Sequence, residues 1–204
     1  MTNTSSNSQT VYIVDDDPAI RFAMQALMDS VNINHEIFAS ADEFLQNEAE
    51  HRAGCLVLDI RMPGLGGLEL QEELITRGST LPIIFITGHG DVPMAVDAMQ
   101  KGAVDFIQKP FRDQELLDRV REALLTDKQR REELERHAEV AQRLDKLTKR
   151  EREVFDLVVT GKPNKVIAYE LGVSQRTVEI HRARVMEKMQ ARSLADLVRM
   201  HMSL

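Results

Sequence analysis

The 204-residue sequence has no tryptophan, a single cysteine and no apolar run near the roughly 18 residues that a membrane-spanning helix needs. Cys55 has no partner, which excludes a disulfide framework and a cysteine metal site and is typical of a reducing cytoplasm. The six histidines show no metal-ligand spacing. Residues 1–9 are polar and lack the apolar segment of a secretory signal, so we predict a disordered tail there.

The composition indicates a chain of two domains. Hydrophobic residues make up 43% of the sequence, enough to build real cores, and the length exceeds that of one small domain. The net charge of −7 is unevenly spread: residues 1–125 carry −11, residues 126–147 carry 0 and residues 148–204 carry +4. A basic last quarter favours an anionic partner that the acidic first half does not share.

The first part of the chain alternates short apolar runs with helical patterns. The five runs lie at residues 11–14, 35–39, 55–58, 82–86 and 104–107. Each is followed by apolar residues at helical spacing, the last helix starting at about residue 113. This order predicts an α/β fold, a doubly wound five-stranded parallel sheet of the flavodoxin-like type, over residues 10–125.

Polar residues stand where four of these strands end, and the ends of parallel strands meet at one edge of the sheet. We therefore expect the following side chains to converge there: Asp15 and Asp16 from the first strand, Asp59 from the third, Thr87 from the fourth and Lys109 from the fifth. Acids also decorate strand ends without any function, and Asp59 alone could simply begin a turn. Five suitable residues at four strand ends favour a site.

The chemistry of this set points to phosphoryl transfer. Carboxylates held together repel one another and call for a cation, and oxygen-only ligands suit Mg²⁺. A carboxylate facing solvent beside that cation can attack a phosphoryl group and form an aspartyl phosphate. Lys109 and the Thr87 hydroxyl would then stabilise the phosphoryl oxygens.

The same residues resemble a known family. Val-Asp-Asp-Asp, Leu-Asp-Ile-Arg-Met-Pro-Gly, Ile-Thr-Gly and Lys-Pro-Phe, within residues 10–125, are similar to the motifs of the receiver domain of two-component response regulators. The resemblance implies that Asp59 accepts a phosphoryl group from a sensor histidine kinase. It implies that Thr87 and Phe106 act as the switch pair and that Lys109 binds the phosphate.

The family also implies a metal site. Its ligands would be the carboxylates of Asp15, Asp16 and Asp59 and the backbone carbonyl of Arg61, with Mg²⁺ as the cation and Mn²⁺ as a substitute in vitro. Asp17 falls outside the family's metal pair and is expected to face solvent near the start of a helix. No essential position of the motif is missing, which disfavours a receiver that is never phosphorylated.

Residues 126–146 are strong helix formers without glycine or proline, and we predict a helical linker. One narrow apolar stripe runs along it through Leu134, Ala138, Ala141 and Leu144 and continues to Leu147. Pairs such as Glu132 with Arg136 and Glu139 with Arg143 would support a solvated helix, which can extend the last helix of the receiver. A short coiled-coil seam is the alternative, although the stripe is shorter than about three to four heptads.

Residues 147–204 predict an all-α domain of four helices. Thr148 and Glu151 form a capping box at the first helix, and Gly172-Val173-Ser174 is a tight turn between the second and third. Ser174 caps an arginine-rich third helix that runs to about Gln190, and Ser193 opens a fourth. A tight turn before an arginine-rich helix is typical of a helix-turn-helix.

The third helix has a core face and a polar face. At 100° per residue, Val178, Val185 and Met189 cluster on one side and are predicted to be buried. Ile180 lies on the opposite side, where an apolar residue can contact a thymine methyl group. The residues predicted to contact DNA are Lys165, Arg176, Thr177, Glu179, Ile180, His181, Arg182, Ala183 and Arg184. A helical bundle with a merely solvated charged face is the alternative.

This domain resembles the LuxR-type DNA-binding domain. Leu-Thr-Lys-Arg-Glu-Arg-Glu-Val, Leu-Gly-Val-Ser and Arg-Thr-Val-Glu-Ile-His-Arg carry the resemblance, and its combination with a receiver is similar to the NarL/FixJ subfamily. The family implies a cytoplasmic transcriptional regulator that binds promoter DNA as a homodimer formed through its fourth helix or on phosphorylation. Its other partners would be the sensor histidine kinase and RNA polymerase, with no membrane partner.

Two further functions are compatible with the residues. One is a constitutive DNA-binding protein whose receiver is a phosphate-independent interaction module. The other is a metal-dependent phosphohydrolase with an aspartyl nucleophile, although the sequence offers little for a substrate cap or a second acid beside Asp59.

Overall fold

A computed structural model describes residues 9–47, 52–88 and 92–203, the side chain of Val92 excepted. The chain divides into two compact units, residues 1–130 and 131–204. Residues 1–8 of the predicted tail and residues 89–91 after the fourth strand lie outside the described residues. In the described part of the chain, no helix is both long enough and apolar enough to span a bilayer.

The first unit is built on a parallel sheet, as predicted. Its strands are β1 (Thr10–Val14), β2 (His35–Phe38), β3 (Gly54–Asp59), β4 (Ile83–Thr87) and β5 (Asp105–Gln108). They lie in the order β2-β1-β3-β4-β5, with every neighbouring pair parallel. The order reverses between β1 and β3, which is where open α/β sheets bind ligands.

Helices pack on both faces of this sheet. They are α1 (Pro18–Ser30), α2 (Ala41–Gln46), α3 (Gly67–Thr76), α4 (Val92–Gln100) and the start of α5 (Asp113–Asp145). Two apolar clusters form, one on each side, because successive strand residues point to opposite faces. All six residues of β3 are buried, as a central strand covered on both faces requires.

Glycine at position 67 brings α3 directly against the end of β3. A Cβ atom there would lie 2.3 Å from the carbonyl oxygen of Asp59, a distance that real side chains do not reach. The Gly67 N–H also donates to the carbonyl of Ile60 at 2.9 Å. The backbone of Asp59 is therefore held from behind by the start of a helix.

The structure extends α5 from the first unit into the predicted linker. Asp127, the second residue of that linker, is buried and accepts hydrogen bonds from the Gly54 N–H at 2.9 Å and from the Gln9 side-chain amide at 3.2 Å. Gln9 belongs to the predicted disordered tail, yet its side-chain amide also donates to the carbonyl of Leu124. The sequence could not show these contacts because they join segments more than 70 residues apart. The division into domains stays a prediction.

Of the two predicted linker ion pairs, one forms. Arg143 contacts the carboxylate of Glu139 at 3.1 Å. Arg136 instead donates to the backbone carbonyl of Glu132 at 3.0 Å. A helical carbonyl four residues earlier competes with the carboxylate for the guanidinium, which the charge pattern alone does not reveal.

The second unit contains the end of α5 and four shorter helices: α6 (Lys149–Val159), α7 (Asn164–Leu171), α8 (Gln175–Met189) and α9 (Leu194–Met202). The predicted caps are present: Thr148 and Glu151 form a capping box, and Ser174 and Ser193 each accept a backbone hydrogen bond at a helix start. Gly172 ends α7 at φ +64°, a left-handed conformation that glycine adopts without strain. The predicted helix-turn-helix, α7 and α8, is therefore observed.

Candidate functional site

The ends of β1 and β3 bring two aspartates side by side. Val14 pairs with Leu58 in the sheet, so the next residues, Asp15 and Asp59, leave the same edge together. Both side chains are buried, with 1% of Asp15 and 7% of Asp59 exposed. Two carboxylates at one buried edge need a compensating positive charge.

Lys109 supplies that charge from the end of β5. Its Nζ atom donates to Oδ2 of Asp15 at 2.9 Å and to Oδ1 of Asp59 at 2.7 Å. Its backbone N–H donates to the carbonyl of Thr87 at 2.7 Å, which ties it to the end of β4. Three strand ends therefore meet at one ammonium group, as the sequence predicts.

The remaining carboxylate oxygens face backbone donors. Oδ1 of Asp15 accepts from the N–H of Asp17 at 2.9 Å, and Oδ2 of Asp59 accepts from the N–H of Arg61 at 2.9 Å. Asp17 itself is exposed and caps α1 by accepting from the N–H of Ala19 at 2.8 Å. Its position fits the expectation that Asp17 lies near the helix start.

Burial controls the electrostatics of this pair. Desolvation raises the pKa of Asp59 above its usual value, and the charge of Asp15 adds to this, although hydrogen bonds from Lys109 oppose it. Burial acts to lower the pKa of Lys109, but its hydrogen bonds to Asp15 and Asp59 outweigh that effect and raise it. Lys109 therefore stays charged, and burial makes the charged form of the Asp59 carboxyl group energetically costly.

The other predicted residues of this site lie around that core. Asp16 is exposed, and Arg61 is exposed with its backbone N–H on Asp59. Thr87 is buried and its hydroxyl donates to the carbonyl of Gly88 at 3.3 Å. Phe106, the predicted switch aromatic, exposes 40% of its side chain.

The metal prediction rests on the chemistry of the donors. Asp15, Asp16, Asp59 and the Arg61 carbonyl offer only oxygen ligands, which suits Mg²⁺. In the arrangement seen, an ammonium group bridges two of the carboxylates. Within the described ranges, no set of three or more Asp, Glu, His or Cys side chains is arranged to hold a metal. The chemistry of the donors suits the cation, and in the structure Asp15 and Asp59 converge on the ammonium group of Lys109.

The polar face of α8 is exposed as predicted. Val178, Val185 and Met189 are buried, which confirms the core face. Ile180 exposes 48% of its side chain on the other side. The predicted contact residues that share this exposed face are Arg176, Glu179, Ala183 and Arg184.

Three predicted contact residues on α8 are partly buried. Arg182 donates to Oδ1 of Asn164, at the start of α7, at 2.6 Å. The Thr177 hydroxyl lies 2.8 Å from that of Ser174. His181 has a buried Nδ1 atom with no hydrogen-bond partner among the described residues. Arg182 therefore connects the two helices of the motif. The sequence does not reveal this contact, because nothing in it pairs Arg182 with Asn164.

The first helix of the motif presents a further exposed group. Lys165, predicted to contact phosphate, is exposed on α7. Tyr169 is 88% exposed four residues later, on the same side of the helix. The helical phase of α7, set by the buried residues Ile167 and Ala168, places Tyr169 on the exposed side, although Tyr169 is not among the contacts predicted from the sequence.

A sheet edge with two buried aspartates and a lysine, joined to a helix-turn-helix, defines a response regulator with a DNA-binding output domain. Residues 11–121 match the response regulator receiver domain, and residues 145–201 match the bacterial regulatory proteins of the luxR family. The chain belongs to these families and is a response regulator of the NarL/FixJ type.

Curated relatives and a solved structure share both domains. Nodulation protein W of Bradyrhizobium diazoefficiens is 50% identical over 96% of this chain and 86% of its own length. The transcriptional regulatory protein FixJ of Azorhizobium caulinodans is 45% identical over 95% and 92%. The response regulator StyR is similar in structure, with a TM-score of 0.88, 43% identity, and coverage of 97% of this chain and 100% of StyR.

Proposed function

We propose that this chain is a phosphorylation-activated transcriptional regulator whose phosphoryl acceptor is Asp59. The observation that carries the proposal is the contact of Lys109 with both Asp15 and Asp59 at the carboxyl edge of the sheet. The contact supports the proposal because two buried carboxylates and a fixed cation then lie within one site. The donor of the phosphoryl group would be the phosphohistidine of a sensor kinase.

In the proposed transfer, a carboxylate oxygen of Asp59 forms a bond to phosphorus while the bond between phosphorus and the kinase histidine breaks. Lys109 would follow the developing negative charge from the carboxylate to the phosphoryl oxygens, because its Nζ is already 2.7 Å from Asp59. Asp15, Asp16, Asp59 and the Arg61 carbonyl would hold Mg²⁺, or Mn²⁺ in vitro. The cation, when bound, neutralises charge on the transferred group.

The switch would involve Thr87 and Phe106. The Thr87 hydroxyl now donates to a neighbouring carbonyl at 3.3 Å, a long bond that a phosphoryl oxygen on Asp59 can replace. Phe106 is half-exposed on the neighbouring strand and can change its burial when Thr87 turns. Phosphorylation would thus favour one of two receiver conformations and promote a homodimer.

The output would be promoter binding by α8. Arg176, Ile180 and Arg184 lie on its exposed face, where they can reach base edges and phosphates. A homodimer would combine two half-site contacts and act with RNA polymerase in the bacterial cytoplasm. Lys165 would contact phosphate from α7.

Phosphoryl uptake tests the receiver half of the proposal. The full chain is incubated with labelled acetyl phosphate and Mg²⁺, and Asp59→Asn is expected to abolish incorporation. Asp17→Asn is the matched control, since Asp17 is an exposed aspartate that caps α1 beside the same site and should leave uptake intact. Label on the Asp59→Asn protein would reject the site.

The salt dependence of DNA binding tests the output half. Lys165→Ala should weaken binding to all duplexes and reduce the salt slope by about 1, because one phosphate contact is lost. Ile180→Ala should change base preference instead. Equal loss on every sequence for both variants would contradict the assignment.

A constitutive DNA-binding protein is the second candidate, because Lys109 neutralises Asp15 and Asp59 within the fold itself. DNA affinity measured with and without acetyl phosphate separates the two. An affinity that does not change on complete phosphorylation would favour the constitutive protein.

A further inference from the structure

The last two turns of α5 pack inside the second unit. Val140 and Leu144 are 7% and 6% exposed and belong to the same apolar cluster as the buried face of α8. The match to the luxR family begins only at residue 145, after both of these residues. The cluster around α8 therefore includes chain that the family domain does not cover.

Packing along α5 resumes abruptly at residue 140, after an exposed stretch. Every residue from 132 to 139 is exposed, and Leu134 exposes 53% of its side chain. Val140 and Leu144 lie one turn apart on the same side of the helix and are both buried. Within the apolar stripe predicted along the linker, Leu134, Ala138 and Ala141 are therefore exposed, whereas Leu144 lies in a core.

Polar contacts join the same two turns to the C-terminal end of α8. Arg143 donates to the carbonyl of Met189 at 3.5 Å, and Lys188 donates to the carbonyl of Lys146 at 3.1 Å. The last carbonyls of a helix lack partners within it and carry its negative dipole end, so a guanidinium there is stabilising. Lys188 also contacts Glu151 of α6 at 2.6 Å.

We propose that Val140, Arg143 and Leu144 are positioning residues that fix α8 for DNA recognition without contacting DNA. The inference rests on the DNA-binding function proposed above. Val140 and Leu144 share an apolar cluster with the buried face of α8, and Arg143 contacts its C-terminal end. The predicted DNA contacts Arg176, Ile180 and Arg184 lie on its exposed face. Loosening them would let α8 shift against α6, and every contact on its exposed face would lose alignment together.

The sequence offers a matched pair for the test. Leu144→Ala and Leu134→Ala make the same change in the same helix, at a buried and at an exposed position. Both full-length variants are titrated against a duplex that the wild-type chain selects from a random-sequence pool, and against an unrelated duplex. Leu144→Ala is expected to weaken binding to the selected duplex about tenfold and to lower the ratio of selected to unrelated binding, whereas Leu134→Ala matches the wild type.

Other readouts separate positioning from a lost contact. The salt slope of binding to the selected duplex should stay at the wild-type value, since no phosphate contact is removed. Phosphoryl uptake should also be unchanged. Leu144→Met, which conserves volume, should restore most of the affinity. An unchanged affinity in Leu144→Ala, or a lowered salt slope, would overturn the proposal.

A second pair guards against unfolding. If Leu144→Ala melts the second unit below the assay temperature, Arg143→Ala and Arg136→Ala decide, because Arg136 lies on exposed helix and contacts only Glu132 in the described residues. Arg143→Ala alone should weaken selected binding, by about threefold, and equal affinities for the pair would reject the proposal. A wild-type chain that selects no duplex even with acetyl phosphate and Mg²⁺ present would instead reject the DNA-binding function, and the inference with it.

Discussion

Each unit of the chain contains a buried carboxylate that forms an ion pair with a lysine. The pKa of the carboxyl group is raised in the first pair and lowered in the second. Asp59 lies 2.7 Å from Lys109 in the first unit, and Glu151 lies 2.6 Å from Lys188 in the second. Only 7% of Asp59 and 3% of Glu151 are exposed. Burial and distance are nearly the same, yet the pKa of Asp59 is raised while that of Glu151 falls to about 2.

The difference comes from the neighbours of each pair. Hydrogen bonds from Lys188 and from the Thr148 N–H, at 2.8 Å, lower the pKa of Glu151 and outweigh its desolvation. Asp59 shares Lys109 with Asp15, so one cation serves two carboxylates, and desolvation dominates. The pair in the second unit is a fixed structural contact. The pair in the first unit retains an unfavourable charge that a reaction can use.

Replacing the shared lysine should have the largest effect. Lys109→Met leaves Asp15 and Asp59 buried together without a cation and removes the donor to the phosphoryl oxygens. We expect phosphorylation by acetyl phosphate to slow by about 100-fold or more, the usual cost of losing one such donor. Initial rates of label incorporation measure it. Lys101→Met, on an exposed ion pair with Glu72 and Asp97, should keep the wild-type rate, and a similar fall in both would contradict the role of Lys109.

Removing the charge of the second pair should cost stability instead. Glu151→Gln weakens the hydrogen bonds to Lys188 and Thr148, and bonds to charged groups contribute about 1.5–3 kcal/mol each. We expect the second unit to lose about 2 kcal/mol of unfolding free energy, measured by urea denaturation of the full chain. Glu153→Gln breaks only a partly exposed pair with Arg150 and should cost less than about 1 kcal/mol. Equal losses of unfolding free energy in the two variants would mean that the buried pair of Glu151 contributes no more than a partly exposed one.

The sequence predicts the first pair far better than the second. Asp59 and Lys109 each follow an apolar strand, and parallel strands must end at one edge, so topology alone brings them together. Glu151 was predicted as half of a capping box, which is local, but its contact with Lys188 spans 37 residues of folded helices. Lys188 follows no strand end or turn that would fix its position.

The sequence also does not predict which residues of a helix are partly buried. Arg182 is predicted to contact DNA, and the structure adds that it is partly buried and donates to Asn164, which helical phase does not reveal. Val140 lies outside the predicted linker stripe but is buried, whereas Leu134, inside it, is exposed. Helical phase identifies the faces of a helix, and only the packing of its neighbours determines which turns of that face are covered.

The upward shift of the Asp59 pKa can be tested with the conservative substitution Asp59→Asn. Since burial raises the pKa of Asp59, its ionised form opposes folding at neutral pH. We expect Asp59→Asn to raise the unfolding free energy of the first unit while abolishing phosphorylation. A stabilised but inactive variant is the signature of a site that keeps an unfavourable charge for its reaction. A clear loss of stability would remove the distinction between the two pairs.

The stabilities of the two units should also respond differently to acid, although this effect is smaller. Glu151 has a folded pKa near 2 against an ordinary value of 4.5, so its contribution is full above pH 4.5 and is lost as pH falls towards 2. Asp59 has a folded pKa above 3.8, so its contribution is full below pH 3.8 and is lost as pH rises through the folded pKa. Between pH 4.5 and 3, we therefore expect Glu151→Gln to flatten the loss of stability of the second unit. Asp59→Asn should steepen the loss in the first, because it removes a group whose contribution grows on acidification. Urea midpoints of the wild type and both variants across this range measure the two slopes, and parallel slopes in all three proteins would show that the two carboxylates titrate alike.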